Sequence, residues 1–533
     1  MRKHTRVRIS PPPPMITLSK LRVGDFKKLR SKKVVQILQI VTLLAILLWS
    51  VWPMVVNPAR VADIGSDGKL LSWIMNHRGV SFDANIFYPN KNVLAYSDML
   101  KISGLITWPL VKVFGNPGVA SGVALILGQV STGLILFLWW KQRFKNGWAA
   151  VIGVTVFLLS QIRFEYQVHL QMWGMQYWLL GSWLVSSWFT DKKNWKLILG
   201  SVILGLQMWE SPLPILFATT VLIVWAIHKS QIPNLKKLLL PLIIFGIIVF
   251  PVVWAYRGAS AEFGYVRGIR EAAHNSISVN DLWGKFWSPG LFVLLVVALV
   301  SPTSVLPLNL RGRKQEGDIK WLWIVLLLGL VMSLGPVLKW QDKTVKIWNK
   351  YPIPLPYAVA YYLVPGMKAF RVPSRWLWLS GFAASGLIAA GLSNRGRGIS
   401  IGMVACLIIG IIGGTKILKT IDLSNFDKIP DVYKWLAGQN INCVIEVPVY
   451  TWGGPGEAIE TNRMYDSLFH KKNLVNGYSG FTPPRIIDLA GDMTKQLEYV
   501  DQCEVIVHKN ETEVRTKGKI VYEDEKTVVY SNH

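Results

Sequence analysis

The feature that most restricts this chain is a succession of apolar segments separated by short basic loops. A helix that crosses a bilayer needs ~20 mainly apolar residues, fewer where it is broken or tilted. Such segments run at about 34–56, 119–140, 149–161, 172–189 and 197–209. They continue with one ending near 227, then 238–256, 289–308, 319–338, 376–392 and 399–417. Alternate connections are basic: Lys141 to Lys145, Lys192 and Lys193, Lys229 to Lys237, Arg311 to Lys314, Arg395 and Arg397. Short loops on the cytoplasmic side collect Lys and Arg. With Arg30, Lys32 and Lys33 before the first segment, the alternation puts the N-terminus inside. About eleven spans are expected, and an odd number puts the C-terminus outside.

Composition agrees with this architecture. The chain is 51% hydrophobic, with a mean hydropathy of +0.33 and a formal net charge of +27. A basic chain suits nucleic acid or an anionic membrane surface. Here the cations cluster between apolar segments, which selects the membrane and excludes nucleic acid as a partner. Residues 1–33 read as a basic cytoplasmic tail. MRKHTRVRISPPPP lacks the apolar core of a signal peptide. RVRISPPPP is what a translated transfer-RNA arm would encode, which makes Met15 an alternative start.

Residues 34–420 are expected to form the transmembrane domain, with large outer loops at 57–118, 257–288 and 339–375. The first loop carries Asp63, Asp67, Asp83 and Asp98 among aromatic residues. SDGKLLSWIMNHR has apolar residues at helical spacing, so it reads as an amphipathic helix at the membrane surface, begun by Asp67. Asp67 is a candidate general base, with Asp63 and Asp98 as further catalytic candidates; helix capping is the alternative for each helix-starting Asp. Asp83 reads as a turn residue or a substrate contact. The prolines and aromatics of the third loop suggest re-entrant or interfacial helices. Arg371 and Arg375 stand at the outer end of the tenth span, against the prevailing charge bias, and their planar forks suit phosphate oxygens. Glu165, His169 and Glu210, at outer helix ends, complete the candidate substrate contacts. Arg257, Arg267, Arg270 and His274 give the second loop a positive face. No zinc or nucleotide motif is present, and a divalent cation is left open.

From about residue 421 to 533 the pattern becomes that of a soluble domain. IPDVYKWLAGQ reads as a helix; NCVIEVPVY and CEVIVHK read as strands; KIVYEDEKTVVYS reads as two strands about a turn. The expectation is a small α/β domain. With only three cysteines, no disulfide framework organises the fold. Cys443 and Cys503 fall on predicted strands, where two buried thiols are the commoner outcome and a bridge is the alternative.

The first-loop Asp, the many spans and the C-terminal α/β domain together resemble the C-fold superfamily of integral-membrane glycosyltransferases. DGKLLSW, FDANIFYPNKNVLAYSDML, VPGMKAFRVPSRW and LVNGYSGFTPP resemble one bacterial branch of it. The resemblance implies transfer of a sugar from a polyprenyl-phosphate donor to a glycan, lipid or protein acceptor outside the cytoplasm. By motif position the first-loop carboxylate falls on Asp67, with Asp63 as neighbour. The paired acidic motif of protein mannosyltransferases is absent. The competing readings are a transporter or flippase, which would place ionisable groups at mid-membrane, and a scaffold that displays the C-terminal domain.

Overall fold

The computed structural model describes residues 23–63, 67–230, 235–264, 267–282, 319–393, 418–426, 428–451 and 456–532. The chain is largely helical. Among the described residues five helices are long and apolar enough to cross a membrane: Lys33–Ser50, Val119–Phe144, Gly147–Glu165, Lys236–Phe263 and Pro373–Ser393. Ile215–His228 and Lys320–Ser333 are shorter apolar helices. Gln176–Asp191 and Asn194–Glu210 stand at the expected fourth and fifth spans. The expected spans at 289–308 and 399–417 lie outside the described residues, as does the N-terminal tail through residue 22.

The centre of the apolar helical part is the helix Leu377–Ser393, buried along nearly its whole length. Its Gly, Ala and Ser residues let neighbouring helices approach closely. Its Phe382 packs against Trp140 and Trp321, and Trp140 Nε1 donates to Ser385 Oγ at 2.8 Å. By contrast, the helix Leu235–Phe263 turns Ile247, Phe250 and Trp254 outward, as a lipid-facing span would. It runs past Arg257, where the second outer loop was expected to begin. It continues through Pro241, Pro251 and Gly258 and stops at Gly264, whose φ of +59° suits a residue without Cβ.

Two further expectations are corrected. The helix Asp67–Asn76 does not lie on a surface: Leu70, Leu71, Trp73, Ile74 and Met75 are all buried. It is enclosed by the C-terminal domain on one side and the helix Val119–Phe144 on another. The first half of the third outer stretch forms hairpins, Lys339–Trp340 with Lys343–Thr344 and Lys346–Ile347 with Tyr351–Pro352. Only its second half holds a helix, Pro356–Leu363.

The C-terminal residues form a five-stranded sheet in the order Lys519–Glu523, Thr527–Ser531, Glu504–His508, Cys443–Val447, Asn473–Leu474. The last three strands are mutually parallel, and the first two form an antiparallel hairpin on one side. Cys443 and Cys503 are joined in a disulfide with Cα atoms 5.0 Å apart, rather than left as thiols. Such bonds persist in oxidising compartments.

This sheet region is sewn to the first loop of the helical part at two places. The strand Arg60–Ala62 pairs antiparallel with Thr420–Asp422. Farther along the first loop, Phe87 N–H donates to Asn476 O, Tyr88 N–H to Leu474 O, and Leu474 N–H to Asn85 O, at 2.9–3.0 Å. Arg485 then holds the carbonyl of Tyr88 at 2.7 Å.

Candidate active site

The start of the loop helix decides which carboxylate is available for chemistry. Asp63 Oδ1 accepts the Gly68 N–H at 3.1 Å, so Asp63 serves the helix N-terminus. A Cβ on Gly68 would lie 2.6 Å from the Ala62 carbonyl, so only glycine allows this close return of the chain. Asp67 is thereby relieved of capping. Among the described residues its carboxylate accepts no hydrogen bond, and it lines a cavity of about 950 Å³.

One part of that cavity is apolar, built from Leu70, Leu71, Ile74, Met208, Leu216 and Val253. The other part is charged. Asp98 lies on the same wall system as Asp67, accepting from Ser211 Oγ. Arg371 and Arg375 line the same cavity and act electrostatically on both carboxylates. Arg375 is 6% exposed, and its Nε is buried without a hydrogen-bond partner among the described residues. Arg371 lies 3.6 Å from Glu271 Oε1, the oxygen that Arg267 also holds at 2.6 Å. Arg257 and Lys368 are exposed lining residues. The lining therefore carries Arg257, Arg267, Lys368, Arg371 and Arg375 against Asp67 and Asp98, an arrangement that favours an anionic ligand.

Burial pushes Asp67 up to about 6, and the neighbouring Asp63 and Glu457 add to this, while Arg371 and Arg375 oppose it. Asp98 is also raised, mainly by burial. His169 lines the cavity, and burial followed by Arg375 and Arg371 pulls it down to about 3, so its imidazole is neutral. The cavity thus holds a carboxylate that changes charge near neutral pH, opposite fixed guanidinium charge. That combination can take a proton from a hydroxyl while holding an anion.

The structure sorts the sequence candidates. Asp67, Asp98, His169, Arg371 and Arg375 come together around the cavity. Asp63 stands beside it as the cap. Asp83 is elsewhere: its Oδ1 accepts the Asn92 N–H at 2.7 Å, and Lys91 lies 4.0 Å away, so it fixes a turn. Glu210 is buried at the start of the helix Lys101–Phe114, where it accepts from the Ser103 N–H and hydroxyl. It therefore caps that helix from another element and does not line the cavity. Glu165 likewise lies outside the lining.

Several lining residues were not singled out in the sequence. Gln171 reaches Asp98 from the turn after the third span. Tyr478, Ser479, Gly480 and Phe481 come from the C-terminal domain. Arg267 donates to the Gly480 carbonyl at 2.9 Å and stacks on Phe481 at 5.0 Å. A Cβ on Gly480 would lie 2.6 Å from the Tyr96 carbonyl, so the segment fits only as glycine. The LVNGYSGFTPP motif, with its two glycines, was the available signal. Among the described residues no group of three or more His, Cys, Asp or Glu is arranged to hold a metal ion.

No protein-family model matches the chain, and no curated protein is significantly similar to it. Among solved structures, it is similar over 93% of its length to the arabinofuranosyltransferase AftD from mycobacteria, at 15% sequence identity and a TM-score of 0.54. The chain spans 40% of the length of that protein. The likeness is one of fold alone.

Proposed function

We propose that this chain is a membrane glycosyltransferase that moves a sugar from a polyprenyl-phosphate donor to a glycan, lipid or protein acceptor outside the cytoplasm. The observation that carries the reading is the pairing in one cavity of Asp67, whose carboxylate accepts no hydrogen bond among the described residues, with the buried Arg375, whose Nε has no hydrogen-bond partner among them. The fold shared with an arabinofuranosyltransferase supports the same class of reaction.

In this reading the donor phosphate meets Arg375 and Arg371, and its prenyl chain leaves along the apolar wall. Asp67 takes the proton from the acceptor hydroxyl. The acceptor oxygen bonds to the anomeric carbon, the bond from that carbon to the phosphate oxygen breaks, and the electron pair leaves on the phosphate. The two arginines stabilise that developing charge. Asp98, held by Ser211 and Gln171, orients the sugar or the incoming hydroxyl. The apolar wall suits a lipid substrate, and the disulfide of the C-terminal domain supports an outer location for the domain and the cavity beside it.

The test is transfer of radiolabelled sugar from polyprenyl-phosphate donors by the purified chain, with a fluorescent polyprenyl phosphate for binding. Binding that survives unchanged in the Arg371→Gln, Arg375→Gln double variant contradicts the reading. A cysteine introduced at Asn510 should react with an impermeant maleimide in intact cells. Labelling only after permeabilisation would place the domain on the other side.

A further inference from the structure

Away from the cavity, one surface combines exposed apolar side chains with cations that have no acidic partner. The helix Lys101–Phe114 begins where the Leu100 N–H donates to the Glu210 carbonyl, at the C-terminal end of the helix Asn194–Glu210. It ends at Gly115, with a φ of +62°, shortly before the helix Val119–Phe144 starts. Its 14 residues therefore run across the ends of two apolar helices. Asn116 ties the same end to the C-terminal region, donating to the Leu423 carbonyl at 2.7 Å. Leu105, Ile106, Val113 and Phe114 of this helix are half or more exposed, as is Val80. Pro109 stands inside the helix and removes one N–H from its ladder. The carbonyl left over would be costly in hydrocarbon, whereas headgroups or water can satisfy it.

Trp108 sits on the same helix. The Arg78 guanidinium lies 5.1 Å and Lys112 Nζ 4.2 Å from the centre of its ring. Among the described residues neither cation makes an ion pair, and Trp108 Nε1 is buried without a hydrogen-bond partner. No Asp or Glu occurs in the sequence between Asp98 and Glu165. Arg78 is not needed to hold the carbonyls after the loop helix either, because Lys101 Nζ takes those of His77 and Ser81 at 2.7 Å. Arg78, Trp108 and Lys112 all lie outside the cavity lining. Two cations at one indole repel each other, and an anion bound to both removes that cost.

We propose that the helix Lys101–Phe114 lies in the lipid headgroup layer and that Arg78, Trp108 and Lys112 bind the phosphate of an anionic phospholipid. The apolar side chains enter the upper acyl region while the cations stay at headgroup depth, the division of an amphipathic interfacial helix. Continuity with two apolar helices and the absence of nearby acids select a lipid as the cover of this face. The site is separate from the cavity and does not depend on any reaction there.

The test uses the full chain. In nanodiscs, a nitrobenzoxadiazole probe on Val113→Cys, with Cys406→Ser, should be quenched by nitroxides on the upper acyl chains and not by iodide in the water. Quenching by iodide overturns the proposal. So does protection from both quenchers, which would mean that another protein or a second copy covers the face. Native mass spectrometry with phosphatidylglycerol and phosphatidylcholine then reads the headgroup site. The wild type should hold one phosphatidylglycerol in preference to phosphatidylcholine, and the Arg78→Gln, Lys112→Gln double variant should weaken it roughly 10- to 30-fold. Lys112→Gln alone, at an exposed position, should lose roughly 5-fold, and Arg78→Lys should keep most of the binding. An unchanged preference in the Gln variants overturns the headgroup site. Inorganic phosphate that displaces the lipid at equal concentration also overturns it, marking a site for free phosphate. Polyprenyl-phosphate binding should be equal in the wild type and the double variant; a loss there would tie these cations to the cavity and overturn their separation from it.

Discussion

The first outer loop contains two kinds of carboxylate. Asp63 and Asp83 spend their oxygens on backbone N–H groups, one at a helix start and one in a turn. Asp67 and Asp98 line the cavity beside the arginines. All four look alike in sequence, and the two helix-associated ones, Asp63 and Asp67, are only four residues apart. The difference teaches that capping and catalysis compete for the same residue type. Where a neighbour does the capping, a carboxylate at a helix start is left available for chemistry.

The sharpest way to break this comparison is Asp67→Asn. As a general base its loss should lower kcat on the order of 10²–10⁴-fold. Stability should not fall. Asp67 is raised in the folded protein from 3.8 to about 6. The unfolded chain therefore releases this proton first, and stability is lost as pH rises through that interval. Asn removes that cost, so Tm at pH 8 should equal or exceed the wild type. For the same reason kcat/KM in the native enzyme should fall as pH drops through about 6.

Next in size is Arg375→Gln. Removing a buried guanidinium that meets a phosphate should weaken polyprenyl-phosphate binding by roughly 30-fold or more. Arg375→Lys should recover only part of it, since the fork is lost. Arg371→Gln should cost less, because Arg371 is partly exposed and already shared with Glu271. Equal losses at both positions would show that burial does not separate them.

Asp63 provides the converse case. Asp63→Ala should cost about 1 kcal/mol in stability through the lost cap, and Asp63→Asn a few tenths. Neither should abolish transfer. The smallest effect belongs to Asp83→Asn, within about 0.5 kcal/mol and with an unchanged rate. A rate loss there as large as at Asp67 would dissolve the distinction between the two groups.

Much of the scaffold was legible from local pattern. Helices stand at each expected span that falls in the described residues, because apolar length and loop charge are local properties. The strands Cys443–Val447, Glu504–His508, Lys519–Glu523 and Thr527–Ser531 also follow their apolar runs. The helix Gly456–His470 was not anticipated, since GEAIETNRMYDSLFH mixes polar and apolar residues. It buries Glu460 and Arg463 as a 3.0 Å ion pair, which hides the usual periodicity. The loop helix was misread for the opposite reason. An apolar stripe is visible in sequence, but a second cover on its other face, supplied from residues almost 400 positions away, is not. The same holds for the site. Arg371 and Arg375 stood out by charge, whereas the division of labour between Asp63 and Asp67 depends on a side chain folding back across Gly68.

The most direct test is a cryo-EM structure of the chain in nanodiscs with a polyprenyl phosphate bound. The predicted result is a phosphate within hydrogen-bond distance of Arg375, with Asp67 across the cavity and free of it, and the prenyl chain along Leu70, Ile74 and Val253. A phosphate seated elsewhere, out of reach of Arg375, would contradict the account.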